Sequence, residues 1–260
     1  MLTINIKSLN DRLQKIKKEF NDSSKPFRYV VFNDFYDVNT ANKILNEYPS
    51  IKDGKWNDKT YIEQLNKFQK TEFETGSLLN NVFDDLNHKE FLGWLKKLTD
   101  LEADIVGDRS LFGGGLHQSI KGAFLNVHVD YNIHPETKYH RRLNVLIYMN
   151  KDWKDEYEGH LELWNIKENE KNLLEKISPS FNKCVIFETN EVSYHGHPTP
   201  LNTPNHINRK SIATYYYTKT RPEKEISDEH NTIYINTQGS RGSLKKIKSS
   251  LKALKERLFS

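Results

Sequence analysis

The sequence predicts a mainly β protein with flanking helices, an α+β chain whose strands close into a barrel or jelly roll. Three observations lead there. Between Gly113 and Thr220, about seven short runs rich in Val, Ile, Tyr, Phe and Thr are separated by turn residues, the texture of a barrel or sandwich. Ahead of them, apolar residues recur at three- and four-residue spacing, the period of helices that bury one face. Aromatic residues make up 12% of the chain and hydrophobic residues 36%, which suits a sheet-containing globular core and argues against disorder.

The elements follow in order. Leu9, Leu13, Ile16 and Phe20 form one face of an amphipathic helix over 5–20. "FRYVVFNDF" (27–35) is β-branched and aromatic, hence a strand. "DVNTANKILNEYP" is a helix that ends before Pro49, with Asn39 or Thr40 as its cap. Residues 60–99 are expected to be mostly helical, and Ser77, after Gly76, is the candidate N-cap of "SLLNNVFDDL". Gly113 to Gly115 mark a turn. The strands expected after it are "GGLHQSI", "AFLNVHVDY", "RRLNVLIYMN", "GHLELWN", "KCVIFET", "VSYHGHP" and "KSIATYYYT". Beyond Thr220 the chain is polar to about Arg241. It closes on "LKKIKSSLKALKERLF", where Leu244, Ile247, Leu251, Leu254 and Leu258 share a helical face. The expected organisation is one domain over 1–236, helical over 1–108 with a jelly-roll core over 109–220, then a basic amphipathic helix over 237–260.

Composition narrows the function classes. The chain has 260 residues, enough for a substantial core, and one cysteine, Cys184, so no internal disulfide can form. The N-terminal stretch lacks the apolar run of a signal peptide, and "LNVLIYM" is too short to span a bilayer. A cytoplasmic protein without a transmembrane segment is the expectation. Of the net charge of +4, the tail from Ser240 contributes more than the whole, with seven Lys or Arg against one Glu. The body is therefore slightly acidic, and no nucleic acid is expected in the core. The tail helix has three readings: packing on the domain or on a second subunit (self-association), contact with an anionic membrane surface, or contact with a partner or nucleic acid.

Chemistry enters at "HVD". On a strand, side chains at i and i+2 share a face, so His128 and Asp130 project together while Val127 and Val129 face the other way. "VSYHGHP" offers His195 as a third ligand, with His197 on the same face. Two histidines and a carboxylate on one side of a metal leave positions open opposite, the pattern of non-haem iron(II) oxygenases. The bland alternative is a surface histidine beside a turn aspartate. Arg209 begins the last strand, with Ser211 two residues on. An arginine entering a barrel interior requires an anion, although a surface ion pair is the commoner fate.

The blocks "HVDY", "RRLNVLIYMNKDW", "EGHLELWN", "FNKCVIFETNEVSYHGHP" and "RKSIATYYYT" occur in this order over 113–218. Together they resemble the iron(II)/2-oxoglutarate dioxygenases of the prolyl 4-hydroxylase-like group, whose core is a double-stranded β-helix, or jelly roll. The resemblance implies that the 1–236 domain is catalytic. It also implies that His128, Asp130 and His195 hold iron(II), with His197 as the competitor for the third place. Arg209 would pair with the distal (C5) carboxylate of 2-oxoglutarate, supported by Tyr148 and Ser211, and Asn144 would face the co-substrate. The implied co-reactants are iron(II), 2-oxoglutarate and dioxygen, with ascorbate a candidate reductant. The implied products are succinate, CO2 and a hydroxylated C–H bond. Halogenating relatives lack the carboxylate ligand, so Asp130 favours hydroxylation. A prolyl residue of a protein or peptide is the first substrate expectation. A free amino acid, nucleotide or sugar is the alternative, and a non-catalytic binding module or a metal enzyme without 2-oxoglutarate are the competing classes. Trp153 and Trp164 are expected to pack, His134 and His140 to lie near the cavity mouth, and one of Arg141 and Arg142 to form a structural ion pair.

Overall fold

A computed structural model describes residues 2–52, 55–168 and 170–239. The N-terminal part supplies helices α1 (Ile6–Phe20), α2 (Val38–Asn46), α3 (Leu78–Leu86) and α4 (Lys89–Thr99), together with strands β1 (Tyr29–Phe32), β2 (Asn57–Asp58) and β3 (Gln64–Lys70). After the short β4 (Val106–Gly107) come β5 (Gly115–Val129), β6 (His140–Tyr148), β7 (Leu161–Lys167) and β8 (Glu170–Ile177). The series ends with β9 (Cys184–Glu188), β10 (Tyr194–His197), β11 (Arg209–Thr218) and β12 (Ile233–Ile235). The basic tail helix expected over 237–260 falls almost wholly outside the described residues. Among those described, no helix is long and apolar enough to cross a membrane.

The strands form one curled antiparallel sheet in the order β1-β9-β6-β11-β5-β10-β7-β8. Its curl depends on β5. The first half of that strand lies between β11 and β3, with Ser119 opposite both Arg209 and Lys67. The chain then turns at Gly122, whose φ of +79° suits a residue without a Cβ. Beyond a short continuation of its pairing with β3, the second half pairs with β10 and β12, setting His128 opposite His195 and Tyr234. One strand thus serves both walls of the jelly roll, and the runs "GGLHQSI" and "AFLNVHVDY", expected as two strands, are the two halves of β5.

Period-two alternation buries both faces of the central strands. On the outer face, Val145, Ile147, Cys184, Ile186, Ile212 and Tyr216 pack against Leu9, Phe20, Val82, Phe91, Trp94 and Leu98 of the helices. Toward the inside, Tyr148, Val185 and Phe187 join Phe27, Leu161, Leu163 and Ile177. The helices are held at their starts: Asn5 accepts from the Ser8 N–H at 2.9 Å and Ser77 from Asn80 at 3.2 Å. For α2 the cap is Asp37, two residues before Asn39 and three before Thr40. Its Oδ1 accepts from the N–H groups of both residues at 3.0 Å, and an ionised carboxylate is the stronger acceptor at a helix start.

Two expectations needed correction. Residues 60–99 are not mostly helical, because β2 and β3 occupy their first part and β3 pairs along β5. The sequence "QLNKFQK" carries no apolar alternation, since the inner face of β3 lines a polar cavity. Strands β8 and β12 lie in polar sequence and exist as edge strands against β7 and β5. Cys184 is wholly buried, and burial raises its thiol well above the usual range, so it is a core residue and no nucleophile.

Candidate metal centre and co-substrate pocket

The curl of the sheet encloses a cavity of about 420 Å³, within the range of small-molecule sites. Directly opposed residues of an antiparallel sheet share a face, so register alone builds its walls. Gln69, His117, Ser211 and Tyr148 run across β3, β5, β11 and β6 in one row, and Lys67, Ser119 and Arg209 in the next. The far wall places Tyr234, His128, His195 and Leu163 in a row across β12, β5, β10 and β7.

His128, Asp130 and His195 converge there, with one potential ligand atom from each lying within 4.8 Å of the others. His128 Nε2 is 3.7 Å from Asp130 Oδ1, and His195 Nε2 is 3.5 Å from Asp130 Oδ2. The Nδ1 of each ring faces a backbone carbonyl, Asn126 O at 2.8 Å for His128 and Ser193 O at 2.9 Å for His195. A carbonyl only accepts, so Nδ1 carries the proton and each Nε2 presents its lone pair to the cluster. Burial, and then His128 beside it, push His195 down to about 3, which leaves that ring neutral. The contact between His195 and Asp130 is therefore no ion pair. Two imidazoles and a carboxylate are a donor set that suits a divalent transition metal. His197, the competitor, lines the same cavity but lies outside the cluster.

Asp130 is held from behind. Its Oδ2 receives Asn144 Nδ2 at 2.7 Å and lies 3.1 Å from Arg141 Nη2. Arg141 also donates to Asn144 Oδ1 from Nε and Nη2, at 3.1 and 2.8 Å. The guanidinium is sandwiched between the rings of Tyr215 (3.7 Å) and Tyr131 (4.5 Å). Burial alone would raise the Asp130 carboxyl, yet the Arg141 guanidinium beside it brings it well below the usual range. The partners expected for Asn144 in the co-substrate are thus already present as Arg141 and Asp130. Arg142, for its part, pairs with Glu225 at 3.1 Å, so both arginines form ion pairs.

At the opposite wall Arg209 is buried, 7% exposed, with no carboxylate in contact among the described residues. Its Nε donates to Gly159 O at 2.7 Å and its Nη2 faces Tyr148 Oη at 3.4 Å. The long stretch that leads into it is fastened to the corner of β5, where Leu201 N donates to Ala123 O and Gly122 N to Leu201 O, both at 2.8 Å. Gly159 has φ +71°, and a Cβ there would lie 2.2 Å from Leu201 Cδ2 and 3.1 Å from Arg209 Cδ. Gly159→Ala should therefore displace Arg209 and lower stability by about 1–3 kcal/mol. Thermal melting, with anion binding measured alongside, checks both effects.

A buried guanidinium with no carboxylate in contact among the described residues, facing the cluster of two histidines and an aspartate across one cavity, fits a metal and an anionic ligand together. That is the layout of a non-haem iron oxygenase on a jelly roll. Residues 114–217 match the family model of the 2OG-Fe(II) oxygenase superfamily. The match covers the segment that carries β5 to β11 and, with it, the cluster and Arg209. No curated protein matches it by sequence.

Similar solved structures bear on the fold. A Pseudomonas putida prolyl-4-hydroxylase superposes with a TM-score of 0.55 at 14% identity, covering 80% of this chain and 100% of its own. A Trichoplax adhaerens prolyl hydroxylase, in complex with a hypoxia inducible factor oxygen degradation domain peptide fragment, gives 0.56 at 16% identity, covering 85% and 93%. HygX from Streptomyces hygroscopicus, with nickel, 2-oxoglutarate and hygromycin B bound, gives 0.52 at 13% identity, covering 87% and 96%.

All seven residues singled out in the sequence line this cavity: His128, Asp130, His195, Arg209, Tyr148, Ser211 and Asn144. Trp153 and Trp164 are partly buried and anchored by their indole N–H groups on Glu158 O and Glu162 Oε2, both at 3.0 Å. His134 does not itself line the cavity but packs on Phe112, which does. It is buried, its Nδ1 accepting from the N–H groups of Glu136 and Thr137 and so closing the turn. The sequence reading missed Lys67 and Gln69 from β3, and Tyr61 and Tyr234, whose hydroxyls meet across the mouth. Their only signal lies in strand pairing, since the first segment was expected to be helical and the second read as polar chain.

Proposed function

We propose that the protein hydroxylates an unactivated C–H bond, with iron(II) held by His128, Asp130 and His195 and 2-oxoglutarate converted to succinate and CO2. The observation that carries this reading is Arg209, a buried cation in want of an anion in the cavity that also holds the cluster. A dicarboxylate whose near end reaches a metal at the cluster would place its far end toward Arg209, Tyr148 and Ser211.

Bound iron, with 2-oxoglutarate and dioxygen, supplies the oxidising chemistry. The chain's own contribution is positional. Ser193 O and Asn126 O fix the imidazole tautomers, Arg141 and Asn144 hold Asp130 ionised and aimed, and Arg209 selects a co-substrate with a distal carboxylate. The paired hydroxyls of Tyr61 and Tyr234 restrict water at the mouth. Residues 1–236 would act as one catalytic unit, a reading supported by the core that the helices share with the sheet. The first substrate reading is a prolyl residue of a protein or peptide, which the prolyl hydroxylases among the similar folds support. HygX, with hygromycin B bound, supports a small molecule as the second reading.

Succinate release from 2-oxoglutarate in the presence of iron(II) tests the assignment. His195→Ala should abolish it, at least 100-fold, whereas His197→Ala should retain activity within about tenfold. The reverse outcome would transfer the third ligand to His197.

A further inference from the structure

The cavity holds more positive charge than the metal and co-substrate account for. Among the described residues lining it, Asp130 is the one acidic side chain, while Lys59, Lys67, Arg141 and Arg209 all reach it. Arg141 is matched by Asp130. On the reading above, Arg209 is matched by the distal carboxylate of 2-oxoglutarate, and the other carboxylate belongs to the metal. Lys59 sits at the exposed rim. Lys67 does not. It lies on β3 in the same cross-strand row as Ser119 and Arg209, two strand spacings, or about 10 Å, from Arg209 along the wall.

The Lys67 ammonium faces the cavity with no carboxylate or hydrogen-bond acceptor in contact among the described residues. The groups that surround it from the neighbouring strands are mostly cationic or neutral: Arg209 on β11, His117 on β5 and Arg141 on β6, with Asp130 the only opposite charge. Burial first, and then Arg209, push its pKa down to about 8. Burial, and then Lys67, also hold His117 well below its usual value, so His117 stays neutral. A lysine in such surroundings is unfavourable in the empty protein and becomes favourable only when an anion enters. A strand that merely closed the barrel would be better served there by a leucine or methionine.

We propose that Lys67 reads an anionic group, a carboxylate or phosphate, on the molecule that is oxidised, so that the prime substrate is an acid. This rests on the hydroxylase reading, because it takes Arg209 to be occupied by the co-substrate. The same chemistry can come from a small anionic metabolite or from an acidic residue beside the target residue of a peptide.

The test is calorimetric and uses the full chain loaded with nickel(II) and saturated with 2-oxoglutarate. Matched probes separate charge from shape and source: N-acetyl-L-proline against N-acetyl-L-prolinamide, adenosine 5′-monophosphate against adenosine, and capped peptides with Glu-Pro against Gln-Pro. The expected result is that at least one anionic member binds ten or more times tighter than its neutral twin. Lys67→Met should abolish that preference and Lys67→Arg keep it, while 2-oxoglutarate affinity stays within threefold in both variants. The small probes and the peptides then show which source the site takes. A tenfold loss of 2-oxoglutarate binding in Lys67→Met would overturn the proposal by assigning Lys67 to the co-substrate. Equal binding of charged and neutral twins, or no binding of any anionic probe at millimolar concentration, would also overturn it. Failure of the wild-type protein to bind 2-oxoglutarate would instead bring down the hydroxylase reading, and this proposal with it.

Discussion

Arg209→Ala should weaken 2-oxoglutarate binding by about 100-fold without lowering the stability of the empty protein. Truncating one partner of a buried, hydrogen-bonded charge pair removes 2–5 kcal/mol, roughly, and about 1.4 kcal/mol corresponds to a factor of ten. The asymmetry between the two readouts is the diagnostic part. In the absence of ligand Arg209 donates to Gly159 O and touches Tyr148, but no carboxylate neutralises it among the described residues. Its removal takes an unpaired cation out of the interior, which offsets the lost hydrogen bond. A structural ion pair would behave oppositely, with a large drop in melting temperature and little effect on the ligand. Titration calorimetry with 2-oxoglutarate, alongside thermal melting of the ligand-free variant, distinguishes the two. Tyr148→Phe should follow at a smaller scale, about fivefold, as suits the loss of one neutral hydrogen bond.

The second large effect is expected at Arg141, which reaches the cluster of His128, Asp130 and His195 through Asp130. Arg141→Leu leaves the Asp130 carboxylate buried with Asn144 as its remaining neutral donor, and it removes the cation sandwiched between Tyr131 and Tyr215. Breaking a buried pair from one side costs about 3–5 kcal/mol, and losing a partner that orients a metal-binding group lowers metal affinity about 10–100-fold. Both effects should appear, as a lower melting temperature and as faster loss of metal to a competing chelator. Arg141→Lys should recover little, because an ammonium can neither stack between two rings nor donate from Nε and Nη2 in one plane. Asn144→Ala should show the metal effect with the smaller stability change.

The parts of the molecule legible in its sequence are those where one residue pattern has one physical solution. Alternation in "RRLNVLIYMN" fixes which side of β6 faces the cavity, and so places Asn144, Leu146 and Tyr148 there. The i, i+2 relation in "HVD" does the same for His128 and Asp130. The contacts that hold Asp130 were only half legible. A buried asparagine needs partners, but that they are Arg141 and Asp130 depends on how the loop between β5 and β6 returns. Strand β3 was not legible, because Lys67 and Gln69 face a polar cavity and so lack the apolar alternation that marks a strand. The same polarity hid Tyr234 on β12, whose place beside His128 comes from pairing with β5 alone.

The central claim is that one cavity holds a metal at His128, Asp130 and His195 and a dicarboxylate reaching Arg209. The most direct measurement is anaerobic titration of the metal-free protein with iron(II) and 2-oxoglutarate, followed through the visible charge-transfer band of the chelate. The account predicts a band that saturates at one equivalent of iron, is absent in His128→Ala, and requires about 100-fold more 2-oxoglutarate in Arg209→Ala. A folded wild-type protein that gives no band, or a band indifferent to both substitutions, would contradict it.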